Sequence, residues 1–145
     1  MGVIAVYSPK GGVGKTSISV DLAWRCAVQG GHRTLLWDLD LQGGSGFVLN
    51  VGQKAFVDDP RLFTKPDKLR QLITLTAYDN LFYIGTSSGL RDLSFNLMRL
   101  GPKKLIPIIA QDLSRTFDRI ILDCPPVRNE LIDQVFEASR LLIVP

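Results

Sequence analysis

Histidine and cysteine are scarce in this sequence, and their scarcity excludes several kinds of chemistry. The 145 residues include one histidine, His32, and two cysteines, Cys26 and Cys124. Neither cysteine has a second cysteine at the spacing of a metal site or a redox pair, so we expect two reduced and mostly buried thiols. His32 follows two glycines in a predicted turn, which does not favour a catalytic or metal-binding role.

Long hydrophobic runs are also absent. The longest apolar stretches, such as Val3 to Tyr7 and Leu141 to Val144, have the length of a strand. A membrane-spanning helix needs about 20 apolar residues. The N-terminus lacks the zones of a secretory signal, so we expect a cytoplasmic protein. With 46% apolar residues and no low-complexity segment, residues 1–145 are predicted to form a single globular domain.

Charge is modest, with a formal net value of +3. This value is compatible with nucleic acid or with anionic lipid as a partner, and it selects neither. Basic side chains form two small groups, at positions 65–70 and 99–104. A solvated surface is the simpler interpretation of both groups, and an anion-binding patch is the alternative.

The order of predicted elements defines the fold class. An apolar, β-branched run at Gly2 to Tyr7 predicts a buried strand, and a glycine-rich loop follows it. Lys15 to Gln29 predicts a helix that ends at two glycines, and Thr34 to Trp37 predicts a second buried strand. A strand, helix and strand in this order form a βαβ unit, so we expect an α/β fold: a three-layer parallel sheet with helices on both faces.

The remaining elements are predicted with less regular patterns. Residues 39–60 are expected to be a loop. One helix is expected from near Pro66, with Leu69, Leu72, Ile73 and Thr76 as its inner face. Further helices are expected at 91–100, at 102–117 and at 130–138. The helix at 102–117 has an alternative start at Pro107. Strands are expected at 81–86, 119–123 and 141–144, the last one buried. Because the sequence stops directly after a strand that is expected to be central, we expect C-terminal elements to be missing.

The strongest motif lies between the first strand and the first helix. It comprises Lys10, Gly11, Gly12, Val13, Gly14, Lys15, Thr16 and Ser17. Glycines let backbone N–H groups surround phosphate oxygens, and the helix N-terminus adds partial positive charge. In such a loop Lys15 reaches the β- and γ-phosphates and the Thr16 hydroxyl binds Mg²⁺. The motif therefore predicts ATP and Mg²⁺ as cofactors.

Two other interpretations of this segment are weaker. The dinucleotide fingerprint G-x-G-x-x-G is met at only two of its three glycines and has no use for Lys15 and Thr16. A glycine turn without a ligand would leave two lysines repelling each other across the loop. The standard phosphate-loop pattern is itself incomplete, because Pro9 occupies its first glycine position.

The heptamer KGGVGKT resembles the deviant Walker A motif of the ParA/MinD family, in which an additional signature lysine follows the variable first position. Two later motifs occur in the family's order. LLWDLDLQGG contains Asp38 and Asp40 and resembles the family's DxDxQG motif. RIILD, followed by Cys-Pro-Pro, resembles the family's Walker B motif and ends in Asp123.

The resemblance implies a role for each carboxylate and for the signature lysine. Asp40 orients or activates the attacking water, and Asp123 holds Mg²⁺. Asp38 supports either the Mg²⁺ shell or the end of the strand. Turn capping is the alternative for Asp38 and Asp40. Lys10 reaches across an ATP-dependent homodimer to the partner's phosphates, as an arginine finger does, so that hydrolysis depends on dimerisation.

The favoured function is that of a ParA-type partition ATPase with weak intrinsic activity, which binds DNA non-specifically and is stimulated by a ParB-like protein. One alternative is a MinD-like or pilus-positioning ATPase at the membrane or a cell pole. Others are a metal-insertion ATPase, for which the cysteine spacing is unsuitable, and a scaffold that binds nucleotide without hydrolysing it. The resemblance identifies no functional residue between positions 53 and 113.

Overall fold

One mostly parallel sheet organises the protein. The computed structural model describes residues 2–42, 44–51, 66–85 and 104–145. Its six strands lie in the order β3-β4-β2-β5-β1-β6. They are β1 (Gly2–Val6), β2 (Thr34–Asp38), β3 (Thr74–Leu75), β4 (Leu81–Ile84), β5 (Arg119–Asp123) and β6 (Leu141–Ile143). Only β3 and β4 pair in antiparallel fashion, so the predicted parallel α/β fold is confirmed.

Helices pack on both faces of this sheet. They are α1 (Lys15–Trp24), α2 (Gly44–Val48), α3 (Pro66–Arg70), α4 (Leu105–Leu113) and α5 (Glu130–Ala138). One buried cluster contains Trp37, Ile109 and Ile132, and the other contains Ala23, Leu36 and Ile121. Alternate residues of β1, β2, β4 and β5 enter opposite clusters, as the pleat requires. The predicted three-layer arrangement is therefore confirmed.

The helix predicted at 15–29 is present, but its last turn changes type. α1 continues from Trp24 into a π-helical turn at Arg25–Gln29. The chain then leaves the helix through Gly31, whose φ of 67° lies in the left-handed region that glycine adopts without strain. On the exposed side of this helical segment Arg25 Nε donates to Asp21 Oδ2 at 2.8 Å, which is the i,i+4 spacing of a helical ion pair.

Two elements were missed because their sequences carry weak local signals. Residues 44–48 form α2, although a loop is predicted there because GSGFV has low helix propensity. The helix therefore depends on tertiary contacts. Thr74–Leu75 form β3, so the helix beginning at Pro66 ends at Arg70 and its predicted inner face is wrong beyond Leu69. The strand predicted at 81–86 is confirmed over Leu81–Ile84.

The later elements are mostly as predicted. β5 and α5 have the expected bounds. α4 is shorter than the predicted 102–117, and Pro107 is its third residue, where a missing N–H costs no helical hydrogen bond. The helix predicted at 91–100 lies outside the described residues.

The prediction that the last strand is buried is wrong. Leu141 is 53% exposed and Leu142 is 40% exposed. Among the described residues β6 pairs only with β1, at one edge of the sheet. An apolar run favours a strand, but it does not determine whether that strand is central or at an edge. No helix within the described ranges is both long and apolar enough to cross a membrane.

Candidate nucleotide-binding site

The glycine-rich loop joins the end of β1 to the start of α1. Gly12 has φ 70° and Gly14 has φ 90°, both in the left-handed region, so a residue with a Cβ would be strained at either position. Gly14 is the N-cap of α1, and no side chain caps this end of the helix. The first N–H groups of α1 are therefore available to bind an anion, which the helix dipole also favours.

Lys15 is the first residue of α1, and its side chain lies inside the loop. Lys15 is only 7% exposed, and its Nζ donates to the Lys10 carbonyl oxygen at 2.9 Å. This contact holds the ammonium group beside the glycines, where it can move onto a phosphate. Lys10 itself is exposed, and its backbone N–H donates to Ser8 Oγ at 3.2 Å.

A cavity of about 850 Å³ opens in front of this loop. Its polar wall includes Gly11, Gly12, Gly14, Lys15, Thr16 and Ser17, and Asp40 and Gln42 lie beside them. Its apolar wall comprises Leu39, Leu41, Pro125, Pro126, Val127 and Leu131. Of the predicted loop residues only Val13 and Lys10 are not part of its lining. The cavity is large enough for a nucleotide-sized ligand.

Asp123 ends β5 directly beside the loop. It is fully buried, and its Oδ1 accepts from Ser19 Oγ at 3.2 Å. Its Oδ2 is also buried but has no hydrogen-bond partner among the described residues. Burial and, next, the negative charge of Asp38 raise the pKa of Asp123 to about 6, while the hydroxyl groups of Thr16 and Ser19 oppose the shift. A buried carboxylate oxygen without a partner suits a bound cation.

The surroundings of Asp123 fit Mg²⁺ in particular. Mg²⁺ is usually held by one or two protein oxygens together with waters and substrate phosphates. In the described ranges no three His, Cys, Asp or Glu side chains cluster closely enough to enclose a metal ion. Asp123 and the hydroxyl of Thr16 therefore provide a partial set of oxygen ligands that a phosphate could complete.

Asp38 is the neighbour of Asp123 on the adjacent strand, but its environment is different. Asp38 Oδ1 accepts from the Asp40 backbone N–H at 2.9 Å. Asp38 Oδ2 accepts from Ser45 Oγ at 2.7 Å and from Tyr83 Oη at 3.2 Å. Burial raises the pKa of Asp38, and these three hydrogen bonds oppose the shift. Of the two roles open to Asp38, this geometry favours support of the strand end over a place in the Mg²⁺ shell.

Asp40 follows β2 and faces the cavity. It is half-buried, and its Oδ1 accepts from the Gln42 backbone N–H at 3.0 Å. This local turn places Asp40 in the lining of the cavity, together with Gln42. The structure thus brings Lys15, Thr16, Asp40 and Asp123 to the same edge of the sheet, as expected at the carboxyl ends of parallel strands.

Some residues of the site were not predicted. Asn129 lines the cavity and caps α5, because its Oδ1 accepts from the Ile132 backbone N–H at 3.1 Å. An asparagine directly before a helix is a recognisable capping signal. Tyr83 is 45 residues from Asp38 in sequence and Ser45 lies in a segment that was predicted to be a loop, so no local pattern indicates either of them.

The two cysteines do not form a second site. Cys124 is fully buried, and burial raises the pKa of its thiol. Cys26 is partly buried, and burial raises the pKa of its thiol as well. Both therefore remain protonated at neutral pH, as structural thiols do.

A parallel strand, a glycine loop with a buried lysine, a helix N-terminus and a carboxylate on the neighbouring strand together define a P-loop nucleotide-binding protein. A family model described as "AAA domain" matches residues 1–145. With its signature lysine and the order of its motifs, the chain belongs to the ParA/MinD family of P-loop ATPases.

Several known proteins are similar to this chain along almost its whole length. Sporulation initiation inhibitor protein Soj of Bacillus subtilis is 30% identical over 99% of the chain. Chromosome-partitioning ATPase Soj of Treponema pallidum is 30% identical over 100% of it. Cobyrinic acid a,c-diamide synthase of Mycobacterium smegmatis, solved with an ATP analog and magnesium, is 26% identical, with a TM-score of 0.87 over 100% of this chain and 58% of that one. The chain spans 57% of the length of each Soj protein.

Proposed function

We propose that this chain is the nucleotide-binding part of an Mg²⁺-dependent ATPase of ParA type, which acts in chromosome or plasmid partitioning. The observation that carries the proposal is the pairing of an uncapped, glycine-preceded helix N-terminus with the unpartnered Asp123 oxygen. The first suits a polyphosphate and the second suits its metal ion. The similarity to the chromosome-partitioning ATPase Soj of Treponema pallidum supports the partitioning role.

The chemistry follows from where the groups lie. Lys15 and the α1 N–H groups bind the phosphates, and Thr16 and Asp123 hold Mg²⁺. The metal ion supplies neutralisation of charge on the β- and γ-phosphates. Asp40 lines the same cavity as the loop, so it is available to a water that attacks the γ-phosphate. Its role in this protein is to orient that water, because phosphoryl transfer depends mainly on positioning and electrostatics.

Lys10 distinguishes a switch from a simple hydrolase. It is exposed and is not among the residues that line the cavity, so it is available to reach a second molecule. We propose that it acts on the nucleotide of the partner in an ATP-dependent homodimer. Hydrolysis would then be slow in the monomer and would be stimulated by a ParB-like protein, and the dimer would bind DNA non-specifically.

The first test measures binding of ATP and Mg²⁺ by the full-length protein and by its Lys15→Ala variant, using calorimetry. Removing the ammonium group should abolish measurable affinity. An unchanged affinity would contradict the assignment of the loop. Arg25→Ala is a suitable control, because Arg25 lies on the exposed side of the same helical segment and its ion pair there is with Asp21, away from the loop.

The second test separates DNA from membrane as the surface on which the protein acts. Binding of the full-length protein to plasmid DNA and to anionic vesicles is compared with ATP and without nucleotide. ATP-dependent binding to DNA supports the partitioning role. ATP-dependent binding to vesicles alone would replace it with a MinD-like positioning role.

A further inference from the structure

We propose that Tyr83 is a positioning residue for Asp40 and acts on it through Asp38. This inference rests on the proposed function and deepens it. Tyr83 lies on β4, one strand further from the phosphate loop than Asp38, and is only 5% exposed. It does not line the cavity.

The path from Tyr83 to Asp40 consists of two hydrogen bonds on one buried carboxylate. The Tyr83 hydroxyl donates to Asp38 Oδ2 at 3.2 Å, and the Asp40 backbone N–H donates to Asp38 Oδ1 at 2.9 Å. Asp38 is fully buried. Because a carboxylate is rigid and planar, a donor that holds one oxygen also sets the direction of the other. The backbone position of Asp40 therefore depends on the hydrogen bonds that Asp38 Oδ2 accepts.

Ser45 is the second donor to the same oxygen, at 2.7 Å from Asp38 Oδ2. It belongs to α2, which passes between the tyrosine and the phosphate loop. A Cβ on Gly46 would lie 2.6 Å from Tyr83 Oη, so only glycine allows this approach. A Cβ on Gly44 would lie 3.3 Å from Thr16 Cγ2. The tyrosine thus supports both Asp38 and the helix that packs beside Thr16.

These contacts predict a specific kinetic effect for Tyr83→Phe, which keeps the ring and removes only the donor. Asp38 loses one of three hydrogen bonds, and Asp40 becomes less well placed. Since a 1 Å misplacement at a reacting centre costs about 100-fold, we expect kcat to fall about tenfold. The KM for ATP should stay within about twofold, because the phosphate loop is untouched.

The experiment measures kcat and KM for ATP hydrolysis by the full-length protein, Tyr83→Phe, Ser45→Ala and the control Tyr78→Phe. Tyr78 is 44% exposed and is not one of the three donors that hold Asp38 among the described residues, so its variant should match the wild type. Ser45→Ala removes the other donor to the same oxygen and should reproduce the fall in kcat. If either Tyr83→Phe or Ser45→Ala folds and keeps the wild-type kcat, the inference is overturned.

A double variant distinguishes positioning from a general loss of structure. In an Asp40→Ala background the residual rate should not change when Tyr83→Phe is added, because the group that Tyr83 positions is gone. A further fall of the same size would show that Tyr83 acts by another route and would overturn the inference. Absence of hydrolysis by the wild type would instead remove the proposed function itself, and this inference with it.

Discussion

Replacing Asp123 by asparagine should make the protein more stable while weakening its Mg²⁺-dependent binding of nucleotide. Asp123 is fully buried, and burial and then the charge of Asp38 raise its pKa from 3.8 to about 6. One pKa unit corresponds to about 1.4 kcal/mol, so the buried charge costs about 3 kcal/mol at neutral pH. Asparagine is neutral, has nearly the same shape and can still accept from Ser19.

The dependence on pH follows from proton binding. Above a pH of about 6 the Asp123 carboxyl is ionised in both the folded and unfolded states, and the folded state carries the whole cost. As the pH falls through this value the folded state takes up a proton first, so the free energy of unfolding of the wild type rises. The gain in the free energy of unfolding that Asp123→Asn gives over the wild type is therefore largest near neutral pH. It is about half as large near pH 5, and it disappears below the pKa that the Asp123 carboxyl has in the unfolded state.

The assay is thermal unfolding with EDTA present, at about pH 7.5 and about pH 5. For a protein of this size about 3 kcal/mol raises Tm by roughly 5 to 10 °C. Asp21→Asn makes the same chemical change at a position whose side chain is 60% exposed, and should alter Tm little at either pH. With ATP and Mg²⁺ the wild type should gain stability and the variant should gain less. A variant that is no more stable than the wild type near neutral pH, or whose gain is independent of pH, would refute the reasoning.

Two further predictions concern turnover. Asp40→Ala should leave ATP-dependent dimers intact, as measured by size-exclusion chromatography with light scattering. It should lower hydrolysis to a small residual rate, because the attacking water loses its orienting group, and wild-type rates in this variant would contradict that role. Lys10→Ala should bind ATP with unchanged affinity, as measured by calorimetry, and should lose the hydrolysis that a partner protein stimulates. Normal stimulation in this variant would show that the exposed lysine does not act across the dimer.

The phosphate loop and its fold could be predicted because their signals are local. Strand, loop and helix follow one another within a few tens of residues, and the requirement for glycine at positions 12 and 14 follows directly from their positive φ. The meeting of Asp38 and Asp123 also follows from a general rule, since carboxyl ends of parallel strands share one edge of the sheet. Their register as direct neighbours on β2 and β5 agrees with this rule.

The missed elements depend on contacts between distant residues. α2 has little helix propensity of its own, and its buried Ser45 is held by Asp38 and lies against Tyr83 from another strand. β3 is two residues long and exists through its pairing with β4. Periodicity within a short window carries no information about such partners. The exposure of β6 was missed for the same reason, because burial depends on neighbours in the sheet.

The two buried aspartates show how the structure separates roles that the sequence presents as equivalent. Each ends a buried apolar strand, and burial penalises the charge of both. At Asp38 three donors hold the carboxylate, so both of its oxygens are already engaged within the protein. At Asp123 one oxygen has no partner among the described residues, so part of that penalty is offset only when a cation binds. Asp123, whose carboxylate is not fully hydrogen-bonded, is therefore the residue that couples metal binding to stability. Asp38, whose two oxygens both accept hydrogen bonds, holds the neighbouring groups in place.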